Sequence, residues 1–299
     1  MAHFELHAVA AISRHGYEGG MTDPDHAPLL RIAAALERLS PPPATADPAT
    51  GNWFTWSARG LEAVPPPRRN PLALYAGVDA QKAQLLENTR RHAVGLPAHD
   101  ILLWGARGMG KSSLVRAVHA ELIAGGSDVA LVQVGQPDLN SLPALFSRLA
   151  AVPRRFTVFL DDLSLDGDAK GDGGQVHALR SLLDGGVMAR PDHLRLAVTS
   201  NRRNLVPRSM AENDVDAINP RDAADDKLAL ADRFGLRLGF HACDQPTYLA
   251  ICENYARAFD LAFDPAAALT WAAGRGARSG RVAWQFTVET AGAAGVAIG

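Results

Sequence analysis

The chain has 299 residues, 47% of them hydrophobic and 21% charged, with a net charge of −2, an ordinary globular composition with room for one large domain and smaller pieces. So even a balance gives no global attraction to nucleic acid or to an anionic membrane. No apolar run nears the roughly 20 residues of a bilayer span, the first residues do not form a basic-then-apolar leader, and the two cysteines, Cys243 and Cys252, argue against a zinc site or disulfide framework and for reduced thiols in the cytoplasm.

Residues 1–69 read as a helix followed by a proline-rich arm. Leu29, Leu30, Ile32, Ala33, Leu36 and Leu39 recur at helical spacing. Pro41-Pro42-Pro43 then opens a breaker-rich linker, and the aromatic cluster Trp53-Phe54-Thr55-Trp56 precedes a second proline run at Pro65-Pro66-Pro67. Such aromatics dock an arm on the body of a protein or offer a handle to a partner.

Residues 70–241 alternate helical and short apolar segments. Gln81–Val94 predicts an amphipathic helix. Strands are expected at 100–104, 128–134, 156–160, 194–199 and 236–240, and helices at 139–149, 175–183 and 227–234. Apolar strands separated by helices predict an α/β fold, a five-stranded parallel sheet covered on both faces. From residue 242 onward the pattern turns to helices alone, at 245–259, 265–275 and 281–291, which predicts a small helical domain over 242–299.

The chemistry begins after the first of these strands. Gly105-Ala106-Arg107-Gly108-Met109-Gly110-Lys111-Ser112-Ser113 lies between an apolar strand and a helix, the context a phosphate-binding loop requires. Its glycines let backbone N–H groups converge on phosphate oxygens, and the helix adds its positive dipole end. Lys111 supplies a compact cation for the β- and γ-phosphates, and the Ser112 hydroxyl is a Mg²⁺ ligand. Asp161 stands at the tip of the third strand, where a carboxylate organises Mg²⁺, and Asp162 beside it is placed to orient or deprotonate an attacking water. Asn201 ends the fourth strand. If that strand lies between those carrying Lys111 and Asp161, its amide reaches the γ-phosphate. Arg233, just before the fifth strand, suits an arginine finger toward a neighbouring subunit, and Arg281, opening the last helix, suits a contact from the lid back to the phosphates.

In this order, the phosphate loop, Asp161-Asp162, Asn201, Arg233 and Arg281 resemble the Walker A, Walker B, sensor 1, arginine finger and sensor 2 of an AAA+ ATPase. Leu74-Tyr75-Ala76-Gly77-Val78-Asp79 resembles the segment that wraps the adenine there, with Val78 in the binding position. The strings LLWGARGMGKSSLV, DDLSLD, LADRFGLRLGF and SGRVAWQF are similar to a bacterial family of uncharacterised AAA+ ATPases, a domain of unknown function, over roughly residues 53–291. The resemblance implies ATP and Mg²⁺ as ligands, assembly into a homo-oligomer through Arg233, and a sheet followed by a helical lid. Most of that superfamily carries Asp-Glu where this chain has Asp161-Asp162. The shorter side chain, with Asp166 and Asp168 nearby as alternatives, implies slow or assembly-dependent hydrolysis.

The loop Gly135-Gln136-Pro137-Asp138 has no aromatic for peptide threading, and the polar stretch 202–226 suits a partner-binding or regulatory element. Three activities therefore stay open: an ATPase that remodels or loads an unknown protein partner, a nucleotide-gated switch with little hydrolysis, and a phosphotransferase acting on a small molecule.

Overall fold

The computed structural model describes residues 45–67, 71–163, 190–201 and 231–298, together with single positions at 28, 31, 32, 35, 38 and 183. The chain divides into two units, Met1–Ala44 and Thr45–Gly299. In the first, Pro28, Arg31, Ile32, Ala35 and Arg38 are helical, where the apolar spacing predicts a helix. The helix expected at 175–183 (except helical Leu183), the stretch 202–226, Asp166, Asp168 and residues 227–230 of the helix expected at 227–234 lie outside the described residues; of the rest of that helix only Ala231 is helical, and Asp232 and Arg233 form a turn.

The second unit is built on a sheet whose described strands are β1 (Trp53–Ser57), β2 (Gly60–Ala63), β3 (Ile101–Gly105), β4 (Val129–Val134), β5 (Arg155–Leu160), β6 (Leu194–Ser200) and β7 (Leu236–Phe240). They lie in the order β2-β1-β4-β5-β6-β3-β7. Every neighbouring pair is parallel except β1 and β2, which are antiparallel. The helices with described bounds are α1 (Asp79–Ala93), α2 (Lys111–Ala124), α3 (Leu142–Ala150), α4 (Gln245–Ala258), α5 (Pro265–Gly274) and α6 (Gly280–Ala293).

The strands read as continuous apolar runs because both faces are covered. Along β3, Ile101 and Leu103 pack into one core with α1, α2 and the lid, whereas Leu102 joins the opposite core with Leu142, Leu145 and Leu149 of α3. The same alternation sends Phe159 to the first core and Phe156 and Val158 to the second. Each buried side chain of this size contributes roughly 1.5–3 kcal/mol, so the two layers fix the sheet's register.

The sheet has two strands beyond the five expected, and both come from the stretch read as an arm. Trp53-Phe54-Thr55-Trp56 is a strand, with Trp53 opposite Leu131 and Trp56 opposite Val134 on β4. The aromatic pattern concealed it because its alternation is short and follows prolines. Arg154, only 7% exposed, secures the approach: its guanidinium pairs with Asp128 at 2.6 Å and donates to the Gly51 carbonyl and the Asn52 side chain. The Trp56 indole N–H donates to Ser141 Oγ at 2.7 Å. A further difference is that the helix expected at 139–149 starts with a 3-10 segment, Gln136–Ser141, before α3. Pro143 near the start of α3 suits an α-helical first turn, where its missing N–H is not needed.

Helices α4, α5 and α6 form the lid. Each starts on a side-chain cap: Asp244 accepts from Thr247 N, Asp264 from Ala266 N and Ser279 from Val282 N, with each cap contributing on the order of 1 kcal/mol. Tyr255, Phe259 and Trp284 meet edge-to-face at centroid distances of 5.3 and 5.8 Å. Among the described residues no helix is long and apolar enough to cross a membrane.

Candidate nucleotide site

Strand β3 delivers the phosphate loop at its C-terminal end. Gly105 closes the strand with φ 122°, and a Cβ there would collide with the Phe240 carbonyl of β7, so only glycine passes. Ala106 N donates to that carbonyl at 2.7 Å. Gly108 and Gly110 follow with φ 75° and 88°, in the left-handed region that turns the backbone into α2. The first N–H groups of α2 then have no helical partner and open toward the loop.

Lys111, the first residue of α2, is 5% exposed. Its Nζ donates to Gly105 O, Ala106 O and Asn201 Oδ1, each at 2.9 Å. Burial pulls its pKa below the ordinary lysine value, against the opposing pull of the Asp162 and Asp161 carboxylates. The Asn201 bond is possible because β6 lies between β3 and β5, the condition under which Asn201 was expected to reach the phosphate.

Asp161 follows β5 directly. Its Oδ1 accepts from Ser112 Oγ at 2.5 Å and from Thr199 Oγ1 at 2.8 Å, and its Oδ2 accepts from Arg116 Nη2 at 2.9 Å. Asp162 adopts φ 56°, a left-handed conformation that Asp tolerates better than most residues. Its backbone N–H donates to Thr199 Oγ1 at 2.8 Å, its carbonyl accepts from Gln136 Nε2, and its carboxylate accepts from Asn201 Nδ2. Lys111, Asn201 and Asp162 thus form one hydrogen-bonded chain.

The lid closes on this machinery. Arg281 N donates to Gly108 O at 2.9 Å, docking the first turn of α6 on the loop. A cleft of about 700 Å³ lies between them, bordered by the loop from Gly108 to Ser113, by Asp161, Asp162 and Asn201, by Tyr75 and Val78, and by Arg281 and Trp284 of the lid. Tyr75 is 9% and Val78 5% exposed, and desolvation raises the Tyr75 phenol above its usual pKa. Lid residue Asn254 also donates to Ala73 O at 3.0 Å, tying α4 to the residue just ahead of the segment expected to wrap adenine.

The structure therefore brings Val78, Gly108, Met109, Gly110, Lys111, Ser112, Ser113, Asp161, Asp162, Asn201 and Arg281 to one cleft. Gly105 lies beneath it at the strand end. Ala106 and Arg107 border an adjoining hollow of about 1020 Å³, together with Cys243 and Arg278, which shares Met109 and Asn201 with the cleft. Arg233 is outside the cleft: it precedes β7, and β7 runs parallel to β3, so it sits toward the sheet end opposite the phosphate loop.

Three residues that bond to Asp161 or Asp162 escape the sequence reading. Arg116 lies four residues after Ser112 on α2, a spacing that places both on one helix face and was readable in principle. Thr199 lies two residues before Asn201, so the strand's period of 2 puts both on one face. Gln136 opens the short 3-10 segment after β4, where no periodicity marks it.

Ser112 Oγ and the Asp161 carboxylate are hard oxygen donors already within 2.5 Å of each other, a donor set that fits Mg²⁺ bound through one carboxylate, one hydroxyl and phosphate oxygens. No cluster of three or more His, Cys, Asp or Glu among the described residues offers an all-protein metal cage.

No curated protein matches the chain by sequence. Among solved structures, the Holliday junction branch migration motor RuvB of Thermotoga maritima is 19% identical with a TM-score of 0.46, the match covering 77% of this chain and 67% of RuvB. The ORC1 protein of Aeropyrum pernix, solved in complex with DNA, is 16% identical with a TM-score of 0.48 over 75% of this chain and 65% of its own. The family described as "Protein of unknown function (DUF815)" matches residues 49–294. That span holds every described strand of the sheet, the phosphate loop, Asp161-Asp162, Asn201 and helices α4 to α6, and the chain belongs to this family.

Proposed function

We propose that this chain binds ATP with Mg²⁺ in the cleft between the phosphate loop and the lid, and hydrolyses it slowly unless assembled with further copies. One observation carries the reading: Lys111-Ser112, Asp161 and Asn201, from three separate points in the chain, converge on the mouth of a glycine loop at a helix N-terminus. Backbone N–H groups and Lys111 take the phosphate oxygens, with Lys111 exchanging its present carbonyl partners for them. Ser112 and Asp161 would hold Mg²⁺, which would supply positive charge to neutralise the phosphates. Asn201 orients the water that attacks the γ-phosphorus, and the Asp162 carboxylate accepts its proton. Arg281, bonded through its backbone to Gly108, couples the phosphates to the angle of the lid.

The partner's chemistry lies beyond the cleft. Arg233, at the sheet end away from its own phosphate loop, is positioned for a neighbouring subunit's nucleotide, which supports assembly as the route to faster turnover. A nucleotide-gated switch is the second reading, favoured by the short Asp162 carboxylate held on Asn201.

The central test is Lys111→Ala. Calorimetric ATP binding should fall at least a hundredfold while the thermal melting temperature stays within a few degrees of wild type. Tight ATP binding in a folded Lys111→Ala protein would refute the assignment.

A further inference from the structure

Arg116 has no part in the phosphate chemistry described above, yet it holds the carboxylate that the metal needs. Ser112 and Arg116 are one helical turn apart on α2 and reach the two oxygens of a single carboxylate, Ser112 to Asp161 Oδ1 at 2.5 Å and Arg116 to Oδ2 at 2.9 Å. The pair is largely shielded from water, with side-chain exposures of 27% for Arg116 and 24% for Asp161. The guanidinium also stacks over the Phe159 ring, 5.5 Å from its centroid, which restrains a side chain that would otherwise be mobile. With Thr199 as a third donor to Asp161, most of the carboxylate's acceptor positions are engaged by protein.

We propose that Arg116 is a resident cation of the metal site: it neutralises Asp161 beside the phosphates and makes ATP binding weakly dependent on Mg²⁺. The proposal rests on the ATP-binding reading given above. Charges interact strongly in a cleft screened from water. A fixed guanidinium 2.9 Å from Asp161 Oδ2 removes the repulsion that a bare carboxylate would present to phosphate oxygens, which is part of what a divalent ion does there. The same guanidinium repels a second cation approaching that carboxylate, so Mg²⁺ must displace it or share the carboxylate with it. Both effects reduce the gain in ATP affinity that Mg²⁺ brings. A guanidinium suits this role better than an ammonium, because its planar, weakly hydrated fork matches a carboxylate edge and stacks on an aromatic ring.

The experiment measures ATP affinity by calorimetry on the full chain, once in EDTA and once at saturating Mg²⁺, and takes the ratio of the two Kd values. For wild type the ratio should stay below about threefold. In Arg116→Gln it should rise to tenfold or more, mainly because metal-free binding weakens, and the half-saturating Mg²⁺ concentration should fall. Arg116→Lys should give an intermediate ratio, and it carries the test alone if the Gln variant does not fold. A wild-type ratio of tenfold or more, or a variant ratio no larger than the wild type's, overturns the role of Arg116. If Arg116 merely positioned Asp161, the half-saturating Mg²⁺ concentration would rise in the Gln variant, which also overturns it. Failure of wild type to bind ATP under either condition would instead defeat the ATP-binding reading.

Discussion

Asp162→Glu converts Asp161-Asp162 into the Asp-Glu pair of most AAA+ ATPases, and under the proposed function the simplest expectation is that it speeds hydrolysis. The backbone argues otherwise. Asp162 sits at φ 56°, where a residue with a Cβ is strained by roughly 1–2 kcal/mol and Asp is partly relieved by local hydrogen bonding. Glu loses that relief, at about 1 kcal/mol. Its longer side chain also overshoots Asn201 Nδ2, to which the Asp162 carboxylate is bonded, and one such bond contributes about 1 kcal/mol net. The sum, about 2 kcal/mol, corresponds to a fall in melting temperature of roughly 4–8 °C for a unit of this size. The assay pairs calorimetric melting with steady-state phosphate release at saturating ATP and Mg²⁺. The expected outcome is a lower melting temperature and turnover no higher than wild type. An unchanged melting temperature with turnover raised tenfold would show that Asp162 is simply a short glutamate and would refute the backbone argument.

Arg233→Ala should abolish any rise of specific ATPase activity with protein concentration and leave ATP affinity within twofold; turnover that rises with concentration as in wild type would sink the finger assignment. Gly105→Ala should cost at least about 2 kcal/mol in a urea melt, since it combines a φ of 122° with a clash against the Phe240 carbonyl; a midpoint equal to wild type would contradict the packing described. Stability should also fall on acidification. Burial depresses His119 and His92 from 6.5 to about 4, so as pH falls the unfolded chain takes up these protons before the folded one. Their contribution is complete above about pH 6.5 and is lost between there and pH 4, reaching about 2 kcal/mol per ring at pH 5. Equal urea midpoints at pH 7.5 and pH 5 would refute this. His119→Leu should halve the difference, because among the described residues His119 Nδ1 bonds within its own helix, to Val115 O, and its buried Nε2 meets no partner.

Much of the candidate site was legible because its residues stand at positions where the backbone changes state. The phosphate loop is a strand-to-helix turn, and Asp161 and Asn201 stand at or just past strand tips; β7 begins at Leu236 and ends at Phe240, as the apolar run predicts. The hairpin at 53–63 was not legible, because strand β1 pairs with β4, some 75 residues onward, and no local pattern reports a partner so distant. Arg116 was overlooked for a different reason: the sequence is rich in arginines, and only the fold shows which of them faces a carboxylate. The conformation of Asp162 was likewise invisible, since a left-handed φ in a non-glycine residue leaves no mark in the sequence beyond the residue type.

The N-terminal hairpin bears on how separate copies of the molecule behave. Strand β4 is apolar on both faces, and β1 occupies the side of it that would otherwise offer a row of unpaired N–H and C=O groups to any other extended chain. A protein trimmed to begin at residue 70 would keep the phosphate loop and the lid but lay that edge bare, and it should self-associate through strand pairing before any nucleotide defect is noticed. The two short strands thus guard colloidal stability, and a soluble, non-aggregating form of this chain has to start ahead of Trp53 and retain Arg154, which anchors the approach to it.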